Sequence, residues 1–432
     1  MTGTLASVFA AAALAVIGTG CALILGWLAF DRPRLGLYAI LALGPTQFVF
    51  VPVLNFFVSP ADVLVLACAT GLMVRLAADA PQAWIAIRLH LMLGFMIAAY
   101  LVGFVVLDHF NRTLVRVPLA IVPSILACEL LTERRHFQWA VGSLIVAALL
   151  DAGYGMYFLA VGQRLHPTRF SGMMGLNFSA IVILCGAAMA FSLVAGARAS
   201  MKLALPAVLA IFGLATLSKM GILVFLVALG LVLWKIATPA IRRLVVAAMV
   251  LIFLVAMVQG SVRSRLLARA SAEHQLDGLQ RTSTDVRVLL LRSAWHGFAT
   301  QPFVGIGYGN FQPHSLREPE IQWSTAGVGY ATHNTYLEVL VEGGLLAFIP
   351  FLLHFLSYIR GLKATWLAVA IRRDALVAAV LAGLLIVVIS AAVANLLLQY
   401  VFWSVCGVAL ACFRRLAHGP SRTRPEVLLP SA

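Results

Sequence analysis

Apolar runs of membrane-crossing length follow one another along the chain, and a single long polar stretch interrupts them. A helical crossing takes about 20 apolar residues. On that rule thirteen runs are predicted, at 5–30, 35–57, 60–78, 89–107, 114–132, 137–160, 173–196, 203–217, 220–236, 244–261, 336–359, 375–394 and 397–413. The last two are separated at Asn395, because a continuous run over 375–413 is too long for one crossing. The interruption is 262–335. Within it Ser283 or Thr284 is placed to cap a helix over 285–299, with Val286, Leu289, Leu290 and Phe298 on or near one face. Arg265 and Arg269, one turn apart, extend the preceding helix outward. The pattern divides the chain into membrane helices over 1–261, a polar segment with short helices over 262–335, further membrane helices over 336–413 and a basic tail over 414–432.

Composition agrees with this reading. Of 432 residues, 62% are hydrophobic and 11% charged, against about 45–50% and about 25% in soluble domains. The expected fold is an all-α integral membrane protein with about 12–13 transmembrane helices. The apolar run at 5–30 is too long for the h-region of a signal peptide and is read as a retained first helix. All six cysteines lie inside apolar runs, and none has metal-ligand spacing. They read as small packing residues, with no disulfide framework and no metal site.

The net charge of +15 is dealt out in twos and threes between apolar runs. That is a topology signal, not a nucleic-acid footprint. With Arg32 and Arg34 assigned to the cytoplasm and the spans alternating, nineteen Lys and Arg fall inside and five in short outside loops: Arg112, Arg116, Arg164, Arg169 and Lys219. The remaining seven lie in 262–335, where loop length makes charge a poor witness. This topology puts the N-terminus outside and the tail inside. The segment 262–335 then becomes extracytoplasmic, facing the periplasm in a Gram-negative cell. Chemistry there has no access to ATP or nucleotide sugars.

Several residues on that side could carry chemistry. His333, between Thr332 and Asn334 at a helix start, can exchange a proton near neutral pH; it could equally be a polar interfacial residue. Arg169 and Lys219 are either interfacial anchors or cations for an anionic ligand. Arg287 lies on a solvated helix face or in a site. Asp151 stands at membrane depth, where an ionisable group is by default a functional hypothesis. Glu338 and Glu342, one turn apart, are expected to pair with the arginines. Arg112 and Arg116 form an i, i+4 pair suited to lipid phosphate, and Arg265 and Arg112 could also join Arg169, Lys219 and Arg287 as cations around His333. Gly305, Gly307 and Gly309 alternate in a loop with no preceding strand, so they are not a dinucleotide fingerprint. They either make a turn or let backbone approach a ligand.

Two motifs in order connect these residues: Trp295-His296-Gly297 through Pro302-Phe303-Val304-Gly305-Ile306-Gly307-Tyr308-Gly309, then Thr332-His333-Asn334 through Glu342-Gly343-Gly344. Over roughly 165–360 the chain resembles the O-antigen ligase and polysaccharide polymerase superfamily. The resemblance implies that His333 is the catalytic residue. It implies that Arg169, in Arg169-Phe170-Ser171-Gly172 followed by Asn177, and Arg287, before the Trp-Pro-Gly-x-Gly turn, face a pyrophosphate. Many relatives have Ser-Arg where this chain has Ser218-Lys219; the charge is kept and the bidentate fork lost.

The implied donor is a glycan on undecaprenyl pyrophosphate. The implied acceptor is the hydroxyl of lipid A–core in a ligase, or of another lipid-linked glycan in a polymerase. A protein O-glycosyltransferase would instead use Ser or Thr of a pilin-like protein. Ligation is placed slightly ahead, at the bacterial inner membrane, with membrane lipid the only other partner and no cofactor. The alternative from a different class is a transporter for an anion or a lipid-linked saccharide. No internal repeat and no matched pair of Gly/Pro-broken helices favours it.

Overall fold

The computed structural model describes residues 31–48, 51–53, 56–78, 116–162, 170–174, 176–194, 204–216, 218–236, 283–319, 329–372, 374–397 and 399–418, with isolated positions elsewhere. The predicted spans 5–30, 89–107 and 244–261 lie almost wholly outside the described residues, as do Arg112, Arg164, Arg169 and Arg265.

The described chain is helical apart from one small ribbon. Helix α1 runs Pro33–Leu43, and a 3₁₀ turn follows at Gly44–Phe48. Then come strands β1 (Val51–Val53) and β2 (Phe56–Val58), paired antiparallel with Val51 opposite Val58. The single helix expected over 35–57 is therefore corrected. Pro45 and Pro52 each lack an N–H and cannot sit in a continuous helical ladder, so the run folds back. Next are α2 (Pro60–Ala78), α3 (Arg116–Leu130), α4 (Arg134–Ala160), α5 (Leu176–Val194), α6 (Ala204–Ala215) and α7 (Lys219–Ile236). The polar segment contributes α8 (Ser283–Thr300), the short α9 (Phe311–His314) and a 3₁₀ turn at Ser315–Arg317. The chain closes with α10 (Thr335–Arg372), α11 (Ala375–Ala391) and α12 (Tyr400–His418). Three stretches are long and apolar enough to cross a membrane: Arg134–Ala160, Asn177–Val194 and Thr335–Tyr358. Four shorter apolar helices accompany them among the described residues. The fold is that of an all-α membrane protein.

The centre of the bundle is α5 against α11. Helix α11 is apolar all round, which suits a helix surrounded by others. In lipid the hydrophobic effect does not drive helices together, so close contact depends on small residues. Gly383 of α11 meets Met189 of α5, Gly186 of α5 meets Ala148 of α4, and Gly407 of α12 meets Ser124 of α3. Each would clash if it carried a Cβ. Cys185 and Cys406 are buried among these apolar side chains.

Helix α10 is the second correction. A single crossing was expected over 336–359, but the helix continues to Arg372 and breaks at Gly344, whose φ of 59° and ψ of −166° lie outside helical space. Polar groups then collect at two ends of the bundle. At one end Arg134 holds Asp374 through two hydrogen bonds of 2.5 and 3.0 Å, and Arg414 reaches Glu129 at 3.4 Å. At the other end the starts of α2, α3 and α12 meet the start of α10. Tyr400 donates to Asp62, whose Oδ2 accepts the Ser59 amide at 2.8 Å. Thr335 Oγ1 donates to the Ala394 carbonyl and accepts from the Leu396 amide, both at 2.7 Å. Helix α4, 27 residues long, separates the two ends by about 40 Å at 1.5 Å per residue.

Candidate functional site

The site is assembled around the start of α10. Asn334 caps that helix: its carbonyl accepts from Glu338 N at 2.9 Å and its Oδ1 from Leu337 N at 3.0 Å. Thr332 Oγ1 is 3.0 Å from Asn395 Oδ1 and 3.1 Å from the Asn334 carbonyl. Thr335 is stapled to the loop between α11 and α12 as described. His333 sits between these anchors with φ at 52°, and among the described residues it is the one non-glycine with positive φ. That conformation is costly for a β-carbon residue, and such outliers concentrate at functional positions. Its ring lies 6.3 Å from that of Tyr330, centroid to centroid. Burial pushes the imidazole below its ordinary pKa, and the nearby charge of Arg287 pushes it further. Both effects favour the neutral imidazole, the form that can accept a proton.

Arg287 is exposed on α8. This helix packs through Leu290 and Ala294, with Val286 and Leu289 partly buried, into a small core with Phe311, Ile321 and Val341. Phe298, expected on the same face, is half-buried. That core fastens α8 to the first turns of α10, which is what brings Arg287 to His333.

The glycine loop docks on the break in α10, and its Gly309 also lines the cavity beside that helix. Leu345 and Leu346 amides donate to the carbonyls of Pro302 and Phe303 at 2.9 and 3.0 Å. The Ile306 and Gly307 amides donate back to the carbonyls of Val341 and Glu342, both at 2.9 Å. The backbone groups freed by the break are thereby satisfied, as a low-dielectric setting requires. Gly305, Gly307 and Gly309 all have positive φ, so the loop is also a turn.

Glu342 is corrected from an ion-pairing role. It is buried, and its Oε1 accepts the Phe311 amide at 3.0 Å, with the Gly309 amide a second donor. It clamps the glycine loop to α10. Glu338, one turn earlier, has an Oε2 that is shut from solvent and has no hydrogen-bond partner among the described residues. Both carboxyl groups line a cavity of about 160 Å³, together with Tyr308, Gln312, Thr332 and Asn395. Val117, next to Arg116 at the start of α3, also faces it. Ala331 and Thr332 belong to the wall, and His333 is the next residue.

Asp151 is not at this cavity. It is buried in α4, and its Oδ1 accepts the Met174 amide at 3.0 Å. A Cβ on Gly172 would come within 2.5 Å of the Asp151 carbonyl oxygen, and one on Gly155 within 2.5 Å of the Ser171 carbonyl oxygen. Asp151 thus pins the segment that follows Arg169. The Phe170 amide donates to the Ala215 carbonyl at 3.2 Å. Ser218 caps α7, its carbonyl accepting from Ile222 N at 2.9 Å, and Lys219 is the first residue of that helix. Phe170 is thereby tied to the end of α6, just before α7, while Arg169 and the Lys219 side chain lie outside what the structure describes.

Sequence reasoning missed Tyr308, Gln312 and the bonding role of Thr332 and Thr335. It noted Asn395 only as a break. A polar residue inside an apolar run was the available signal for Asn395 and also for His354, which lies 2.9 Å from the Tyr358 hydroxyl within α10. No curated protein matches the chain. Residues 204–352, which hold Lys219, Arg287, the glycine loop, His333 and both glutamates, match the family model described as O-Antigen ligase (Wzy_C). Over that stretch, about a third of the chain, the protein is similar to the O-antigen ligase family.

Proposed function

We propose that the protein transfers a glycan from undecaprenyl pyrophosphate to an acceptor hydroxyl on the periplasmic side of the inner membrane, with lipid A–core as the acceptor. The observation that carries this reading is His333, an imidazole biased to its neutral form and held in a left-handed conformation beside the cation Arg287. In the proposed step His333 takes the proton of the acceptor hydroxyl as its oxygen attacks the anomeric carbon. The bond from that carbon to the pyrophosphate oxygen breaks, and negative charge builds on the leaving group. Arg287, Arg169 and Lys219 are fixed cations for that charge. Direct attack inverts the anomeric configuration. The scheme uses no metal, so turnover should survive chelation with EDTA.

The test mixes purified protein in detergent with a lipid-pyrophosphate glycan, with and without lipid A–core, and reads products by mass. A single transfer that requires lipid A–core supports ligation. A ladder from donor alone would make the protein a polymerase, and product only with a pilin-like protein a protein glycosyltransferase. No product in any tube would leave the transporter reading, because only an enzyme turns over without a membrane gradient.

A further inference from the structure

Helix α8 carries two apolar faces, and the protein covers one of them. Leu290 and Ala294 are fully buried in the small core with Val341. Val288, Leu291 and Trp295 lie on another face, within an arc of about 60° at 3.6 residues per turn. They are 61%, 57% and 61% exposed, and Phe303, just past the helix, is 72% exposed. Arg287 borders this face on one side and Arg292 and His296 on the other, all three exposed. Single apolar residues on a surface are ordinary, but an apolar stripe bordered by cations marks a contact surface.

Helix α10 identifies what covers that stripe. None of its residues 335–345 is exposed. Exposure begins at Leu346, and Leu346, Ile349 and Leu353 run down one side of the helix. They belong to a stretch long and apolar enough to cross a membrane, so this side faces lipid. Phe303 stands at its head, its carbonyl accepting the Leu346 amide at 3.0 Å. The Trp295 ring packs on that of Phe298 at 5.7 Å between centroids, and the chain then turns through Gln301 to Phe303. The exposed face of α8 therefore continues into a lipid-facing one. Membrane thickness gives the same answer. The first charged residue after the break is Arg360. From Leu345 to Arg360 the helix rises about 22 Å, short of a hydrocarbon core of about 30 Å. The remaining distance of about 8 Å lies beyond the break, at the level of Val341, where α8 packs.

We propose that α8 is a membrane-interface helix, with Val288, Leu291, Trp295 and Phe303 set into the acyl chains of the bilayer at the end of the bundle where α10 begins. The occupant of this face is bilayer phospholipid: an apolar stripe with basic borders fits acyl chains below and phosphates above. Arg287 and Arg292 then stand at headgroup level. The inference goes beyond glycan transfer and holds without it. For the transfer reading it supplies the reason that Arg287 is held at the depth of a lipid-borne phosphate.

The experiment replaces Leu291, Trp295, Ile349 or His296 singly by the photocrosslinking residue benzoylphenylalanine. The full-length protein is placed in vesicles of phosphatidylethanolamine and phosphatidylglycerol, and adducts are read by mass. Lipid adducts from the Leu291 and Trp295 positions are expected within about threefold of those from the lipid-facing Ile349 position, and about fivefold above those from His296. A second measurement uses Leu291→Asp, an exposed position outside the small core. Charge expels the face from the acyl chains, so amide exchange of α8 in the same vesicles should rise about tenfold, while Leu291→Phe leaves it unchanged. Adducts from Leu291 and Trp295 that are mainly to protein would make this a docking surface for another chain and overturn the proposal. Lipid adducts no more abundant than from His296, or unchanged exchange in Leu291→Asp, overturn it as well. Neither readout involves a glycan, so failure here is distinct from failure of the transfer reading.

Discussion

Gly305 and Gly344 stand backbone to backbone: a Cβ on either one would lie 2.6 Å from the amide nitrogen of the other. One closes the glycine loop and the other breaks α10. Both have positive φ, at 70° and 59°. Gly344, with ψ at −166°, lies in a region essentially restricted to glycine.

Alanine at either position meets a clash and backbone strain together. Each substitution is expected to cost about 3 kcal/mol or more, read as a large fall in thermal melting in detergent and loss of transfer. Gly153→Ala, in α4 with nothing within 4 Å of the new methyl, should be neutral or stabilising by up to about 1 kcal/mol. Equal behaviour of the three variants would remove the claimed role of the loop-to-break contact.

His333→Ala is expected to lower transfer by about 10²–10⁴-fold while donor affinity is retained. The pH profile tests the base more sharply. Burial and then Arg287 hold the His333 pKa below its ordinary value, so the neutral base persists to lower pH than a free imidazole would. Removing Arg287 raises that pKa, and activity should be lost earlier as pH falls. Arg287→Ala should therefore shift the acid limb of kcat to higher pH, and Arg287→Lys should hold it near the wild-type position. An unmoved acid limb in Arg287→Ala would separate the two residues electrostatically.

Asp151 is expected to act on the donor at one remove. Asp151→Asn keeps a carbonyl oxygen for the Met174 amide and should be mild. Asp151→Leu leaves that buried amide unsatisfied, at a cost of about 1–3 kcal/mol, and frees the segment that follows Arg169. The kinetic signature should be a raised donor KM with the acid limb unchanged.

Thr335 joins α10 to the loop after α11 with a donated and an accepted bond, each 2.7 Å. Thr335→Val keeps the shape and removes both, so it should lower the melting temperature and depress kcat by displacing His333. Thr335→Ser should restore most of each. Rescue of stability without rescue of kcat would show that the staple does not position His333.

Much of the architecture was legible beforehand because lipid imposes local rules. A backbone crossing a bilayer must satisfy its polar groups within a helix, so apolar length reports a helix directly. Positive charge sorts the connecting loops. The residues thus placed on one side, Arg116 and His333, belong to segments that gather at one end of the bundle, while Arg134 and Arg414 gather at the other. The order of motifs marked His333 and Arg287, which the structure brings within electrostatic reach.

The rest depended on contacts remote in sequence. Helix 35–57 failed at prolines whose effect was readable but was outweighed by the length of the apolar run. The break at Gly344 was hidden because glycine in an apolar helix is ordinary; it becomes a break only where the loop from Pro302 to Gly307 supplies the missing hydrogen-bond partners. Glu342 looked like an ion-pair residue because sequence shows its neighbours along one helix and not the Phe311 amide folded against it. Which face of α5 or α11 is inside was equally invisible, since lipid tails and a protein core are alike apolar. Sequence alone determined the apolar solvent, the helical class and the order in which the polar motifs follow one another. Tertiary structure decided which polar groups satisfy one another, because a buried hydrogen bond is a property of two segments at once.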